Sequence, residues 1–213
     1  NTLVPLAGGG WLGTNTDVEG FCAPLRAGGG AWSGRQAVVL GCGGSARAVV
    51  AGLVELGLET ITVLARRPAA LEAFVADCRP FAPGLRPLVW PADGADRSPL
   101  LPLLAAAALV VNTTPVGMAS VRDVHDPQAA LACPLGPAEL AALQPSATVY
   151  DLIYTPRPTR LLQAAAAAGC PTLDGLEMLV QQGAAALRLW SGRDAVPVEA
   201  MRAAALWQLE GHG

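Results

Sequence analysis

The sequence predicts an α/β fold, a parallel sheet with helices on both faces, and three observations predict it. Alanine, leucine and valine dominate while aromatics reach only 5% of the 213 residues, a balance that suits helices layered on a sheet better than a β-sandwich. Short, β-branched apolar runs alternate with segments of helical periodicity along most of the chain, and repeated strand–helix units build parallel sheets. A hydrophobic content of 52% is ample for the buried core of one large domain or two modest ones.

The first element of the repeat is the strand Ala37-Val38-Val39-Leu40, which stops at glycines. Apolar residues then recur at Ala46, Val49, Val50, Leu53 and Val54 with helical spacing, and Gly57 stands where a helix-ending glycine belongs. Thr60-Ile61-Thr62-Val63-Leu64 reads as a β-branched second strand. Together these make a βαβ unit of the usual ~30 residues. The alternation continues with a helix from about Ala69 to Asp77, a strand near Leu85 to Val89, a helix around Leu100 to Ala107 and a buried strand at Leu109-Val110-Val111. A loop rich in Pro, Asp and Gly runs from Thr113 to Pro137. Ala147 to Tyr150 then reads as a strand and Thr159 to Ala168 as a helix, and the sheet is expected to end near Leu173. The tail carries two helical patterns, one on Leu176, Leu179, Val180 and Leu187, the other from Val198 to Leu209 with Pro197 at its first turn. The opening segment, with glycine stretches at Gly8 to Gly10 and Gly28 to Gly30, also lies outside the repeat. Head and tail are expected to share a second, smaller lobe.

A net charge of −3 and the absence of any basic run leave no electrostatic footprint for nucleic acid or an anionic membrane. A small molecule is the expected partner. The longest apolar run, Leu103 to Val111, is too short to span a bilayer, and the N-terminus lacks a signal-peptide layout. Five scattered cysteines, Cys22, Cys42, Cys78, Cys133 and Cys170, form no C-x-x-C pair, so neither a disulfide framework nor a metal site is indicated and a reduced, cytoplasmic setting is expected. His125, in a polar loop, and His212, near the C-terminus, read as solvated. No G-x-S-x-G elbow, H-E-x-x-H pair or P-loop lysine is present, which removes the common hydrolase, zincin and nucleotide-triphosphatase readings. All fourteen basic residues are arginine, and the chain has no lysine.

The turn Gly41-Cys42-Gly43-Gly44, continued by Ser45-Ala46, joins the first strand to the first helix of the βαβ unit. Glycines there let the backbone approach a pyrophosphate, while the free N–H groups and dipole of the helix favour its charge. A bare strand-to-helix turn is the alternative; the complete βαβ context favours a Rossmann-type nucleotide site. An NAD enzyme places a carboxylate about 20 residues on, at the end of the second strand. Here the strand runs into Ala65-Arg66-Arg67, and no acid occurs between Thr60 and Glu72. Two guanidinium groups can grip a 2′-phosphate with charge-assisted, bidentate bonds. NADP is therefore expected over NAD, with a solvated arginine pair as the alternative reading.

Several separate stretches, in order along most of the chain, resemble the shikimate dehydrogenase family. They are Asn1-Thr2-Leu3, Gly13-Thr14-Asn15-Thr16-Asp17, Gly41 to Arg47, Asn112-Thr113-Thr114-Pro115-Val116-Gly117-Met118, Tyr150-Asp151-Leu152-Ile153-Tyr154, and Asp174 to Gly183. The resemblance implies an NADP-dependent oxidoreductase that reduces 3-dehydroshikimate to shikimate in aromatic amino acid biosynthesis. It implies that Asp17 is the catalytic aspartate and a substrate ligand, and that Asn1, Tyr154 and Gln182 also bind substrate. It puts Thr113, Leu152, Gly175 and Met178 on the nicotinamide side of the cofactor. Arg66-Arg67-Pro68 replaces the family's usual Asn-Arg-Thr turn, so either arginine is a candidate for the 2′-phosphate.

In that family the aspartate works with a lysine, because hydride addition to a ketone needs a proton for the forming alkoxide. The family's lysine precedes the segment that begins here at Asn1, so the chain is expected to lack most of the first, substrate-binding lobe. The expected organisation is a remnant of that lobe over residues 1–22, an NADP-binding domain over 23–174, and C-terminal helices over 175–213 that pack back on the substrate-binding lobe. A monomer or homodimer is expected. Two other functions remain open at this point: a non-catalytic NADP-binding module, and a quinate/shikimate dehydrogenase of dual specificity.

Overall fold

The computed structural model describes residues 1–92, 94–119 and 129–209; His125 and His212 lie outside them. The described chain divides into two compact units, one of Asn1–Gly30 with Leu176–Gly213, the other Ala31–Gly175.

The second unit is the expected parallel sheet. Its strands are β3 (Gln36–Leu40), β4 (Thr60–Ala65), β5 (Leu85–Val89), β6 (Leu109–Asn112), β7 (Thr148–Asp151) and β8 (Thr172–Leu173), in the order β5-β4-β3-β6-β7-β8. Every pairing is parallel, with Val38 in register with Thr62 on one side and Val110 on the other. Ala37 to Leu40 and Leu109 to Val111 are buried along their whole length, the near-continuous apolar run of a strand covered on both faces.

The connecting helices are α2 (Gly44–Glu55), α3 (Pro68–Cys78), α4 (Leu101–Ala106), α5 (Pro137–Ala142) and α6 (Arg160–Ala167). One core cluster joins Val38, Leu40, Leu64, Val110 and Val149 of the sheet to Leu104 of α4, Leu140 of α5 and Leu161 and Leu162 of α6. At the end of α2, Gly57 takes φ +80°, its N–H donates to Val54 O at 2.9 Å, and the Leu58 N–H reaches Leu53 O at 3.1 Å. That is a Schellman ending, and a residue with a Cβ would be strained there. The helix expected from Leu100 to Ala107 is a 3-10 turn, Ser98–Leu100, leading into α4; Pro99 and Pro102 fall in the first turns of the two segments. Helix α5 falls inside and just past the stretch read as loop, and Ala129–Leu131 forms a further 3-10 turn.

The first unit holds elements that the periodicity did not reveal. An antiparallel hairpin pairs β1 (Thr2–Pro5) with β2 (Trp11–Thr14), and α1 runs over Asp17–Ala27. The glycines at 8–10 make the hairpin turn, with Gly9 and Gly10 at φ +90° and +89° and a Leu6 N–H bond to Gly10 O at 3.1 Å. Pro24 sits inside α1, yet Phe21, Cys22 and Leu25 are buried along one helical face. The tail forms α7 (Gly175–Ser191) and α8 (Val198–Leu209), as its two apolar patterns predicted. Among the described residues, no helix is long and apolar enough to cross a membrane.

Candidate functional site

In the second unit, the turn after β3 separates two kinds of glycine. Gly41 has φ +104°, and a Cβ there would stand 2.7 Å from Thr113 Oγ1 and 3.0 Å from Thr114 Cγ2. The fold itself requires that glycine. Gly43 caps α2 from an extended conformation and Gly44 opens the helix; a Cβ on either would meet no protein atom within 4 Å. Packing does not demand glycine at these two positions, whereas close approach of an anion to the backbone does. The first turn of α2 carries no acidic residue and no side-chain cap, so its N–H groups and dipole face outward uncompensated. Cys42 is half-buried and Ser45 exposed, while Ala46 is fully buried. Only the backbone N–H of Ala46 is left for a phosphate.

Arg66 and Arg67 follow β4 directly, Arg67 as the N-cap residue of α3. Both are exposed, and among the described residues neither is ion-paired. Arg47, by contrast, is committed to Asp77 at 2.5 Å.

The carboxyl ends of β6 and β7 are tied together by buried polar groups. Asn112 and Asp151 are both fully buried, and Asn112 Nδ2 donates to Asp151 Oδ1 at 2.9 Å. Asn112 Oδ1 accepts from the Thr114 N–H at 3.0 Å and from Thr114 Oγ1 at 2.7 Å. Thr159 Oγ1 donates to Asp151 Oδ2 at 2.7 Å and caps α6 by accepting from the Leu162 N–H at 3.3 Å. Thr113 bonds Leu40 O with both its N–H (2.9 Å) and its hydroxyl (2.8 Å), which locks the end of β6 to β3. Gly175 approaches Leu152 so closely that a Cβ would lie 1.9 Å from Leu152 O, and its N–H donates to Ile153 O at 3.1 Å. Thr113, Leu152 and Gly175 thus stand at the mouth of the parallel sheet, where open α/β folds bind ligands. Met178, the fourth residue expected there, belongs to the first unit and is buried.

Asn112, Asp151 and Thr159 were not singled out by sequence reasoning as functional residues. A signal was present. An Asp closing the apolar run Val149-Tyr150, and an Asn closing Val110-Val111, are polar residues in register positions that a buried sheet gives to apolar ones.

In the first unit the structure joins Asn1 to Asp17. Asn1 Nδ2 donates to Asp17 Oδ1 at 2.6 Å, while its Oδ1 accepts from the Thr16 N–H at 2.9 Å and Thr2 Oγ1 at 3.0 Å. The hairpin register sets this up, since Thr2 pairs with Thr14 and brings the ends of both strands to the start of α1. Asp17 is the first residue of α1, where the helix dipole favours its charge, and its N–H donates to Asn15 Oδ1 at 2.9 Å. One turn further on, α1 crosses α7 at Gly20, where a Cβ would stand 2.7 Å from Met178 O and 2.8 Å from Gln182 Cβ. Gln182 is therefore held against α1 on the turn after Asp17, its Nε2 donating to Leu179 O at 3.0 Å. Asn1 and Asp17 are in direct contact, and Gln182 packs on α1 three residues further along, at Gly20. Tyr154 lies in the second unit, with 42% of its surface exposed.

The tail helices are pinned by charge. Arg202 forks onto Glu177, Nε to Oε2 at 2.8 Å and a terminal nitrogen to Oε1 at 2.6 Å, and also reaches Glu199 at 2.5 Å. That guanidinium holds the Glu177 carboxyl below its usual range, and the two carboxylates raise Arg202 in turn. Among the described residues no group of three or more His, Cys, Asp and Glu side chains is placed to hold a metal.

Residues 175–206 match the family model described as the Shikimate 5'-dehydrogenase C-terminal domain. Over 205 residues the chain is 48% identical to a Shikimate dehydrogenase (NADP(+)) of Synechocystis sp., covering 95% of the chain and 65% of that protein. Over 210 residues it is 44% identical to one of Synechococcus sp. (strain JA-2-3B'a(2-13)), covering 98% of the chain and 67% of the relative. Among solved structures it resembles shikimate 5-dehydrogenase of Thermus thermophilus, in complex with NADP(H) and shikimate, at a TM-score of 0.73 and 35% identity; 96% of the chain and 66% of that chain are covered. The chain thus spans about two thirds of the length of these proteins.

Proposed function

Since the chain belongs to the shikimate dehydrogenase family, we propose that the protein is an NADP-dependent oxidoreductase acting on CH–OH, interconverting 3-dehydroshikimate and shikimate. The observation that carries this reading is the Asn1–Asp17 pair at 2.6 Å with Gln182 one helical turn along, a cluster of donors and acceptors suited to a polyhydroxylated ring. A unit that only sensed a nucleotide has no chemical use for it.

The residues of the second unit fit the cofactor. Gly41 to Ala46 offer the pyrophosphate a bare backbone at a helix start with no acid in its first turn, and Arg66 and Arg67 offer the 2′-phosphate two guanidinium groups that are not ion-paired among the described residues. Thr113, Leu152 and Gly175, at the mouth of the parallel sheet, line the nicotinamide end. Bound NADPH supplies the hydride that reduces the ring ketone.

The chain's own residues then hold the substrate. Asn1 and Gln182 hydrogen-bond ring hydroxyls, and Tyr154 meets the carboxylate. Asp17, oriented by Asn1 and by the start of α1, takes up the hydroxyl proton when shikimate is oxidised and returns it to the alkoxide when the ketone is reduced. The 213 residues include no lysine, so a Lys–Asp pair cannot be completed from them. The first unit is the substrate-binding side and the second the cofactor side. Five scattered cysteines with no C-x-x-C pair support a reducing, cytoplasmic setting.

The test has two arms on the chain as it stands. NADP⁺ should bind, by calorimetry or fluorescence, more tightly than NAD⁺. Shikimate oxidation followed at the nicotinamide absorbance should run ~10²-fold or more below that of a relative holding the complete pair. Failure to bind NADP⁺ overturns the whole reading. Turnover at the relative's rate overturns the lysine requirement alone.

A further inference from the structure

The Asp151 carboxyl group has no counter-charge among the described residues. It is the last residue of β7 and has no exposed surface. Its donors, Thr159 Oγ1 at 2.7 Å, Asn112 Nδ2 at 2.9 Å and the Ile153 N–H at 3.2 Å, are all neutral. Among the described residues no arginine forms an ion pair with it. The charge that acts on it, Asp174, has the same sign and is itself paired with Arg157 at 2.6 Å. The start of α6, capped by Thr159, offers only a partial dipole. Burial pushes the carboxyl above its usual range, and the hydrogen bonds from Thr159, Ile153 and Asn112 pull it back in part.

A buried charge without a counter-charge is costly, and an asparagine of the same shape would fasten the same loops without it. What a fixed negative charge adds is a field, and this one stands at the mouth of the sheet. Leu152, the next residue, abuts Gly175, and through Asn112 the carboxylate connects to the Thr113–Thr114 turn. A nicotinamide ring is cationic when oxidised and neutral when reduced.

We propose that the Asp151 carboxylate is the fixed negative charge of the nicotinamide end, favouring the oxidised ring over the reduced one and so biasing the protein toward NADP⁺. The proposal rests on the NADP reading above. It acts through space, without contact to the reacting atoms.

The test compares the dissociation constants of NADP⁺, NADPH and adenosine 2′,5′-bisphosphate, which has no nicotinamide, for the full chain and its Asp151→Asn variant. The amide keeps an acceptor for Asn112 and Ile153 and turns its NH₂ to Thr159 Oγ1. NADP⁺ should weaken about fivefold, the scale of a long-range Coulomb interaction at an effective dielectric of ~20. NADPH and the bisphosphate should be unchanged. Equal weakening of both cofactors, or no weakening, overturns the proposal. An unmodified protein that binds neither cofactor overturns the reading beneath it instead.

Should Asp151→Asn not fold, the unmodified protein answers through the ratio of its NADPH and NADP⁺ dissociation constants from pH 8 to pH 4. The 2′-phosphate titrates in both cofactor forms and cancels. The other titratable groups coupled to Asp151 are Asp174, paired with Arg157, and Cys133, which also feels Arg160 and Glu139. The preference for NADP⁺ should fall as Asp151 takes up its proton, and a constant ratio overturns the proposal.

Discussion

The two units are held together by different means. In the second, strands whose side chains are buried on both faces define the fold, and the glycine turn exposes mainly backbone at the start of α2. In the first, a two-stranded hairpin and three helices rely on side-chain pairs: Asn1 with Asp17, Arg188 with Glu19 at 2.8 Å, Trp190 Nε1 with Leu3 O at 2.8 Å, and Arg202 with Glu177. Its hairpin leaves Leu3, Leu6, Trp11 and Leu12 exposed. The difference teaches where substitutions will act. Backbone space governs the glycine turn and the Leu152–Gly175 approach of the second unit, whereas polar side chains join the hairpin and tail helices of the first.

The largest expected effect tests the claim about backbone space. Gly175→Ala forces a Cβ to within 1.9 Å of the Leu152 carbonyl oxygen, and since two backbones must part, it should cost about 3 kcal/mol. Thermal unfolding should show Tm lowered by roughly 10 °C. Gly43→Ala is the matched control. No protein atom lies within 4 Å of its added Cβ, so Tm should stay within about 2 °C while NADP⁺ binding weakens. If both variants lose stability alike, the division between glycines kept for packing and for a ligand is wrong.

Next in size is the Arg66→Ala, Arg67→Ala double variant. Charge-assisted hydrogen bonds are worth about 1.5–3 kcal/mol each, so losing the 2′-phosphate contact should cut the preference for NADP⁺ over NAD⁺ by ~10-fold or more. Both arginines are exposed, and Tm should not move. An unchanged preference would remove the arginine pair from the cofactor site. The single variants divide the effect between them.

The same contrast explains what was legible in the sequence. Val38-Val39-Leu40 before Gly41, and Thr60 to Leu64 before Arg66, announce strands and turn because burial on both faces leaves an uninterrupted apolar run and the ligand needs glycine at the turn. Helix α1 was missed because Gly20 and Pro24 read as helix breakers. Gly20 is there for the opposite reason, to let α7 approach at Gln182. The hairpin was missed because Leu3, Trp11 and Leu12 are exposed while Thr2 is buried, so burial does not follow the hydropathy that a sequence displays. Helix α5 is short and begins at Pro137, within a stretch whose composition reads as loop. The Asn1–Asp17 bond spans the hairpin, so no local pattern contains it; the motif named both residues but not their contact. Asn112, Asp151 and Thr159 converge from three separate segments, and only the sheet register and the α6 cap bring them together.

The smallest expected effect lies in the first unit. Arg202 is partly exposed, and its fork onto Glu177 crosses from α8 to α7, so Arg202→Met should cost only about 1 kcal/mol at neutral pH. Its pH dependence is the more informative signature. Because the Arg202 hydrogen bonds hold the folded Glu177 carboxyl below its ordinary range, the stabilisation is complete above the unfolded carboxyl's pKa and is lost as pH falls through the lower, folded value. Urea midpoints of the parent and of Arg202→Met should therefore differ at pH 7 and converge toward pH 3. A difference that persists at pH 3 would mean that the arginine's hydrocarbon stem, not its charge, joins the two helices. That outcome would move α7 and α8 to the side of the comparison governed by packing.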